Sequence, residues 1–372
     1  MSEEELEEEV REDQKKEFPC SGCGSKLVFQ PGTTDLGCGY CGYSNPIPQS
    51  EADIEELDFR AHLESLAAEE PTDESADVAC SSCGAITTKP ANLTAFHCPF
   101  CASPMVTEEV ARRLIRPKSL LPFKVTFHEA KGSFKKWLAG HWFAPTKLKT
   151  YADTGELKGL YVPYWTYDSD TESFYRGQRG DDYWETNRVS FTDAQGRAQT
   201  RNQRTRKTRW RSVSGTVWVQ FDDLLVAASK SLPLAHLNEL TPWDLSELVP
   251  YSPDYLSGFE AERYQVELDD GFEAAETIME RGIRQAARRD IGGDHQRISA
   301  LKTGHSKVTF KHILMPIYIS AYRYRGKVYR FLINARTGEV QGDRPYSIWK
   351  ITFTILAILA TLALVILIVT AS

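Results

Sequence analysis

The cysteines of the chain form two quartets with the same spacing, Cys-x2-Cys-x14-Cys-x2-Cys, and account for all eight of its cysteines. The first quartet is Cys20, Cys23, Cys38 and Cys41, and the second is Cys80, Cys83, Cys98 and Cys101. Each Cys-x2-Cys turn presents two sulfurs to one ion, and four thiolates suit tetrahedral zinc. The spacing therefore predicts two zinc ribbons that bind two Zn²⁺ ions.

Other cysteine chemistries fit this pattern less well. A redox role is expected with a thioredoxin-like βαβ pattern, which does not surround these cysteines, and disulfides would require an oxidising compartment. His97 adjoins Cys98 and could compete for the metal, but four thiolates already saturate the site. Four protein ligands also leave no coordination position for a catalytic water. We therefore expect structural zinc.

A basic cluster with a single tryptophan lies further along the chain. Its members are Arg201, Arg204, Arg206, Lys207, Arg209, Trp210 and Arg211. The cations could follow a phosphate backbone while the indole offers a stacking face. They could equally lie on anionic lipid head groups, or form the charged side of an exposed hairpin. The sequence leaves these three interpretations open.

The sequence contains none of the common catalytic motifs. It has no Gly-x4-Gly-Lys-Ser/Thr loop, no His-Glu-x2-His pair and no Gly-x-Ser-x-Gly elbow. Two carboxylate pairs, Asp181-Asp182 and Asp222-Asp223, are adjacent in sequence, and adjacent side chains of a strand point to opposite faces. We therefore predict that the protein is not an enzyme, and we infer no small-molecule substrate.

Residues 349–371 are predicted to form a transmembrane helix. The stretch 351–371 carries no charge, and a helix of that length spans about 30 Å, the thickness of a bilayer core. Trp349 and Lys350 flank its N-terminal side, which places the preceding body in the cytoplasm by the positive-inside rule. The expected arrangement is a single-pass, tail-anchored protein of the cytoplasmic (inner) membrane, where the thiols stay reduced.

Charge is distributed unevenly along the 372 residues, whose net charge is −7. Up to residue 78 there are 21 acidic and 5 basic residues, and the remainder has 30 acidic and 39 basic residues. The negative first part disfavours a phosphate backbone as the ligand of the ribbons. The predicted organisation is an acidic disordered lead (1–17), zinc ribbon 1 (18–48), a helix and linker (49–77), zinc ribbon 2 (78–106), a β-rich α+β domain (107–346) and the transmembrane helix.

The large domain is expected to be mostly β-sheet with two helices. Apolar residues at helical spacing predict helices over 128–142 and 271–290, and a weaker pattern predicts one over 51–68. Aromatic and β-branched runs predict strands at 160–167, 173–175, 213–221, 315–324 and 328–334. The overall fold class is therefore α+β multidomain.

Two pairs of segments in this domain are similar to each other. Residues 154–159 (Thr-Gly-Glu-Leu-Lys-Gly) resemble residues 337–342 (Thr-Gly-Glu-Val-Gln-Gly), and 160–165 resemble 313–318. Each Thr-Gly-Glu stands at a turn between strand-like runs. A duplicated β-hairpin unit or common turn chemistry explains the likeness.

Four further motifs carry a family resemblance. They are Leu121–Lys124, Tyr161–Tyr167, Phe221–Val226 and Asn334–Gly342. With the two cysteine quartets, they make the chain resemble a bacterial family of uncharacterised membrane proteins with N-terminal zinc ribbons. Members are often labelled TFIIB-type zinc-ribbon proteins, or relatives of the primosomal replication-restart helicase. The resemblance implies zinc binding by the eight cysteines. The helicase label does not fit the sequence, which shows neither the P-loop lysine nor the acidic box of an ATP site.

Two functions lead, and a third, an enzyme acting at the membrane, stays open because convergent catalytic sites can be invisible in one sequence. The first is a non-enzymatic, membrane-tethered zinc-ribbon protein that binds or scaffolds another protein on the cytoplasmic face. The second is a membrane-tethered nucleic-acid-binding protein, related to replication or transcription, that uses the ribbons and the basic cluster.

Overall fold

The protein is an α+β molecule built around one large, mainly antiparallel sheet, with a cysteine cluster near its N-terminus and one apolar helix at its C-terminal end. The computed structural model describes residues 20–25, 27–49, 54–68, 77–79, 85–88, 95–97, 100, 104–106, 115–145, 148, 157–192, 196, 198–324 and 327–371. The predicted acidic lead and all four cysteines of the second quartet lie outside the described residues.

The first ribbon is a three-stranded antiparallel sheet. Its strands are β1 (Leu27–Phe29), β2 (Asp35–Cys38) and β3 (Ser44–Pro46). β1 pairs with β2, which pairs with β3. Leu27, Phe29, Leu36 and Ile47 are buried and belong to one apolar core.

The segment after the ribbon forms a shorter helix than its sequence predicts. Leu57–Asp58 is a strand, β4, which pairs with residues 309–310, and the helix α1 follows at Phe59–Ala68. The Asp58 carboxylate accepts a hydrogen bond from the Ala61 N–H at 2.7 Å. Because strand pairing and this cap fix residues 57–58, the helix begins at residue 59.

Two short hairpins follow. They contain β5 (Asp77–Ala79) with β6 (Ile86–Thr88), and β7 (Ala95–His97) with β8 (Pro104–Val106). In sequence, the first Cys-x2-Cys pair of the second quartet falls between β5 and β6, and the second pair falls between β7 and β8.

The remaining elements build the large sheet and its layers. They are β9 (Ser119–Leu120), α2 (Phe127–Ala139), β10 (Lys158–Thr192), β11 (Ala198–Ala227), α3 (Leu234–Glu239), β12 (Val249–Pro250), β13 (Glu260–Ala261), α4 (Leu268–Ile291), β14 (His295–Tyr324), β15 (Lys327–Asn334), β16 (Val340–Gly342) and α5 (Ile348–Ala371). The main strand order is β11-β10-β14-β15-β16, and β4, β9, β12 and β13 pair at its margins.

The long strands absorb several of the predicted ones. The runs expected at 160–167 and 173–175 are parts of β10, which continues for 35 residues through irregularities in register near Asp168 and Arg176. The two similar segments 160–165 and 313–318 pair with each other, with Tyr161 opposite Pro316 and Pro163 opposite Leu314. Whether they arose by duplication stays a prediction.

Helix α4 covers the face of the sheet formed by odd-numbered residues of β10. Ala275, Met279 and Ile283 are buried in one cluster with Trp165 and Tyr167, which confirms the apolar face predicted for this helix. The Tyr167 hydroxyl donates to the carbonyl of Leu268 at 2.7 Å. Gly271 is required at this contact because an added Cβ would lie 2.4 Å from the Tyr167 hydroxyl.

Helix α2 ends earlier than predicted. Thr126 and Glu129 form a capping box at its start, and Phe134 and Leu138 bury its inner face. The N–H of Gly140 closes the last turn on the Lys136 carbonyl, so the chain leaves the helix there. Trp142 was expected on the helical face but lies beyond the helix and is 69% exposed.

The C-terminal helix α5 starts against the loop that follows α2. The Ser347 N–H donates to the Phe143 carbonyl at 2.8 Å, and the Lys350 ammonium donates to the carbonyls of Trp142 (3.1 Å) and Ala144 (2.7 Å). Residues 348–370 are long and apolar enough to cross a membrane, and the apolar stretch is not buried in the protein. A helix near the predicted position is therefore confirmed.

Candidate functional site

The first cysteine quartet converges on one point. The sulfurs of Cys20, Cys23, Cys38 and Cys41 all lie within 4.8 Å of one another. The Cys20–Cys41 pair is 3.5 Å apart and the Cys23–Cys38 pair 3.6 Å apart. Tetrahedral zinc with Zn–S bonds of about 2.3 Å separates its sulfurs by about 3.8 Å. The four thiols therefore fit one zinc ion with little movement.

The two Cys-x2-Cys turns of this site have the same backbone geometry. The Cys20 carbonyl accepts from the Gly24 N–H at 2.7 Å, and the Cys38 carbonyl accepts from the Gly42 N–H at 3.0 Å. Both glycines have φ near +73°. Only glycine adopts this conformation without a steric penalty, so each turn needs the glycine after its second cysteine.

Backbone N–H groups favour the thiolate form of one cysteine of this site. Hydrogen bonds from the Cys41 and Tyr40 N–H groups lower the pKa of Cys38 to about 6. Against a hydrogen bond from the Tyr43 N–H, by contrast, the neighbouring thiols of Cys23 and Cys20 raise the pKa of Cys41 to about 12. The Gly22 N–H also lies 3.4 Å from the Cys20 sulfur as a donor. Because zinc binds the deprotonated thiol, the N–H groups that donate to Cys38 favour metal over a proton at that ligand.

The ribbon is fixed to the sheet domain rather than hanging from it. The Phe29 N–H donates to the Ser257 carbonyl at 3.0 Å, and the Ser257 hydroxyl donates to the Leu27 carbonyl at 2.7 Å. The Phe29 ring meets the Tyr255 ring edge-on with centroids 5.1 Å apart. Cys20 and Cys38 belong to the same buried cluster as Phe123 and Tyr161 of the sheet domain. The metal site therefore has a fixed orientation on the body.

One side of the site remains open. Cys23 and Cys41 are exposed while Cys20 and Cys38 are buried. Tyr40, between the last two cysteines, is 85% exposed. The buried pair attaches the site to the core, and the exposed pair carries a rim that another molecule can contact.

The basic cluster lies on a projecting two-stranded arm. β10 pairs with β14 only as far as Gly180, opposite His295, whereas β10 and β11 stay paired to Thr192 and Ala198. Beyond Gly180, no third strand of the described residues pairs with the hairpin. We refer to residues 181–192 and 198–209 as the arm.

The structure divides the predicted cluster between two faces of this hairpin. Alternation along β11 places Arg201, Lys207, Arg209 and Arg211 on one face and Arg204, Arg206 and Trp210 on the other. A single basic patch is therefore not formed. This geometry matches the third interpretation of the cluster, an exposed hairpin in which every second residue carries a charge. Contact with lipid or another polyanion stays a prediction.

Each cation of the cluster has a partner on or beside the arm. Arg206 pairs with Asp182, Lys207 with Glu185 and Arg211 with Asp181. Arg201, Arg204 and Arg209 lie over the rings of Phe191, Trp184 and Tyr183 at 5.1–5.3 Å. The partners were visible in the sequence, but only the hairpin register brings them opposite the arginines.

The adjacent carboxylates do not act together, as the strand alternation predicts. Asp181 accepts from Arg179 at 2.8 Å, whereas Asp182 accepts from the Thr208 hydroxyl at 2.6 Å on the other face. Asp223 has φ of +50° and its carboxylate pairs with Lys311 at 2.6 Å.

Lys311 is the centre of a buried charge cluster that the sequence did not reveal. Its ammonium lies 3.0 Å from Glu56 and 2.6 Å from Asp223, and its side chain is 8% exposed. The Thr309 hydroxyl bridges Glu56 (3.1 Å) and Asp168 (2.8 Å). Burial raises the pKa of Asp168, while the bond to Lys311 lowers the pKa of Glu56. The cluster ties the segment before α1 to the irregular middle of β10.

Comparisons with known proteins agree with a zinc-ribbon protein. Residues 76–109, which contain the second quartet, match the family described as the FORGETTER1 second zinc ribbon domain. The chain is also 24% identical over 337 residues to the uncharacterized protein YdjG of Bacillus subtilis (strain 168), covering 90% of this chain and 91% of that protein. No solved structure matches the chain significantly.

Proposed function

We propose that the protein is a non-enzymatic, membrane-tethered zinc-ribbon protein that binds another protein on the cytoplasmic face and serves as its scaffold. In this proposal each cysteine quartet holds one Zn²⁺, and helix α5 is the single membrane span. The zinc sites stabilise the ribbons and take no part in a reaction.

The observation that carries the proposal is the fixed attachment of the first ribbon. Its strand β1 donates one hydrogen bond to the Ser257 carbonyl and accepts another from the Ser257 hydroxyl. Cys20 and Cys38 are buried in the same core as residues of the sheet domain. A ribbon held in this way presents the exposed side of its metal site, with Tyr40, in one orientation. Binding then requires less ordering of the protein, which favours recognition of a specific partner.

The charges near α5 support a cytoplasmic body. Lys350 lies in the first turn of the helix, with Trp349 beside it. Its ammonium is held by the carbonyls of residues 142 and 144, which belong to the body. A cation at this boundary favours the cytoplasmic side of a membrane.

The nucleic-acid alternative has weaker support. Three of the cations on which it depends are paired with Asp181, Asp182 and Glu185. A phosphate backbone would have to displace those carboxylates, and the chain's net charge of −7 opposes polyanions.

The experiment is recovery of cross-linked complexes from detergent-solubilised membranes that contain the full chain. We expect defined protein partners whose recovery falls when Cys20 and Cys38 are both changed to serine. Tyr40→Ser changes the exposed rim without removing a ligand, and separates loss of the surface from loss of the fold. Recovery of no protein, or of nucleic acid that nuclease removes, would contradict the proposal. Protease accessibility of the body from the cytoplasmic side tests the orientation.

A further inference from the structure

Among the described residues, the part of the sheet that α4 covers has an exposed face on its opposite side. The Tyr175 hydroxyl bonds to Asp290 of α4 at 2.5 Å, which shows that odd-numbered residues of β10 point toward that helix. Even-numbered residues therefore point away from it. On this side Phe174 is 44% exposed and Trp218 is 71% exposed.

Cations surround these aromatic side chains. The Arg176 guanidinium lies 5.7 Å from the Phe174 ring, and the Arg297 guanidinium lies 4.0 Å from the Trp210 ring. Lys302 stands opposite Phe174 on β14. We call Phe174, Arg176, Trp210, Trp218, Arg297 and Lys302 the open face. A concavity of about 630 Å³, lined in part by Arg176, Ser212 and Arg297, lies within it.

The cations of the open face differ from those of the arm in their pairing. Within the part of the chain that the structure describes, Arg176, Arg297 and Lys302 form no ion pair, whereas Arg206 and Lys207 on the arm do. Glu172, opposite Trp218, and Asp170, which pairs with Lys307, are carboxylates of β10 on this side. The open face is therefore a net positive surface with exposed aromatic rings.

Three classes of partner carry the complementary negative charge: a protein with an acidic segment, a nucleic acid and an anionic lipid surface. Exposed Trp and Arg side chains are the residues that contribute most to protein–protein binding. A nucleic acid fits less well, because the adjoining arm offers carboxylates and paired cations where a phosphate backbone would continue.

A lipid surface fits less well because of where α5 begins. The helix starts beside Phe143, and Trp137 of α2 packs on Phe331 with ring centroids 5.7 Å apart. Phe331 lies opposite Ser320 of β14. The neighbouring Ile319 pairs with Lys158, the first residue of β10. Arg176 is 18 positions further along β10. At about 3.3 Å per residue, that places the open face about 60 Å along β10 from the end of the sheet that lies nearest the start of α5.

We propose that the open face is the docking surface for an acidic segment of the partner protein. This inference rests on the proposed scaffold function and names the surface and the charge of its partner. Arg176, Arg297 and Lys302 would bind carboxylates of that segment, while Phe174 and Trp218 would pack on its apolar side chains.

The test places a photo-cross-linking amino acid at position 218 of the full chain in its own membrane, and separately at position 40 on the zinc ribbon. We expect a cross-linked product at 218 that protease removes and nuclease does not. Its cross-linked peptide, identified by mass spectrometry, should carry net negative charge.

Charge reversal provides the specificity control. The triple variant Arg176→Glu, Arg297→Glu and Lys302→Glu should reduce the product at least tenfold. Reversal of three exposed cations elsewhere, Arg60→Glu, Lys136→Glu and Arg281→Glu, should leave it unchanged. Unchanged zinc content and unfolding midpoint in both triple variants confirm that they fold.

The remaining outcomes separate the two proposals. A protein product at position 40 but not at 218 would overturn the docking surface and leave the scaffold function standing. A product at 218 that contains nucleic acid or lipid, or a peptide without acidic character, would overturn the inference. No protein product at either position would overturn both.

Discussion

Gly258 lies directly against the side chain of Val28, at the junction of the first zinc ribbon and the sheet domain. A Cβ added at Gly258 would lie 2.2 Å from Cγ1 of Val28, and the glycine has φ of +89°. The neighbouring Ser257 makes the two hydrogen bonds that hold β1. The junction therefore has no room for a larger residue, and ribbon attachment depends on the backbone of residues 257–258.

Gly258→Ala should detach or strain the ribbon. We expect a loss of about 1–3 kcal/mol in the free energy of unfolding from overpacking, in addition to the penalty for positive φ. Gly196→Ala is the matched control, because Gly196 has φ of +75° with nothing within 4 Å of an added Cβ. Denaturation and limited proteolysis of the ribbon in the full chain measure the difference. Equal losses in the two variants would show that the junction tolerates the extra methyl group.

Zinc content should fall in steps when the quartets are changed one at a time. We expect two zinc ions per chain in the parent, one in Cys38→Ser or in Cys98→Ser, and none in the double variant. A missing thiolate leaves an incomplete coordination shell, so affinity drops sharply. Elemental analysis of the purified chain measures this, with Tyr40→Ser as a control that keeps all ligands. A parent chain with one zinc ion would contradict the prediction for the second quartet.

Much of this architecture follows from local patterns in the sequence. The spacing of Cys20, Cys23, Cys38 and Cys41 predicts the metal site because the two turns are local and carry their own glycines. The apolar periodicity of α4 and the uncharged length of α5 are likewise local. The end of α2 was missed because Gly140 closes the helix before Trp142, which a periodicity of apolar residues does not detect.

Features that depend on long-range pairing could not be obtained in this way. Glu56 and Lys311 are 255 positions apart and meet only because β4 pairs with β14. The basic cluster looks continuous in sequence, but strand alternation divides it and Asp182 neutralises Arg206. The open face is formed by three strands, so no single segment of the sequence indicates it.

Lys311→Met should destabilise the protein strongly. Removal of the ammonium leaves Glu56, Asp168 and Asp223 close together without a compensating charge, and breaking a buried ion pair typically costs about 3 kcal/mol. The partial exposure of Glu56 screens its share of this cost. Adding Asp223→Asn to Lys311→Met should recover part of the loss, because one of the carboxylates is then neutral. Chemical denaturation at pH 7 measures Lys311→Met, Asp223→Asn and the double variant. Additive losses in the double variant would contradict the ion-pair explanation.

His312 should make the stability of the sheet domain depend on pH between 4 and 6.5. The imidazole is buried against the Trp165 ring (4.8 Å) and the Tyr264 ring (5.5 Å), and its Nδ1 lies 2.7 Å from the Ile115 carbonyl. Burial lowers the pKa of His312 from 6.5 to about 4. Between these two pKa values the unfolded chain binds a proton at His312 and the folded chain does not. The free energy of unfolding therefore decreases as the pH falls through this range.

The effect is isolated by comparing the parent with His312→Asn, which keeps an N–H donor near the Ile115 carbonyl but does not titrate. The variant should be less stable at pH 7, because it loses the packing of the ring. Between pH 7 and pH 5 the difference in the free energy of unfolding between parent and variant should narrow by about 2 kcal/mol. Only the parent loses stability in this range, because only its unfolded state gains a proton at position 312. Denaturation curves of the zinc-loaded chains measure the difference at each pH, so protonation of the thiolates cancels between them. His128→Gln, a change at an exposed histidine of α2, should keep the slope of the parent. A constant difference across the range would show that His312 is protonated in the folded protein.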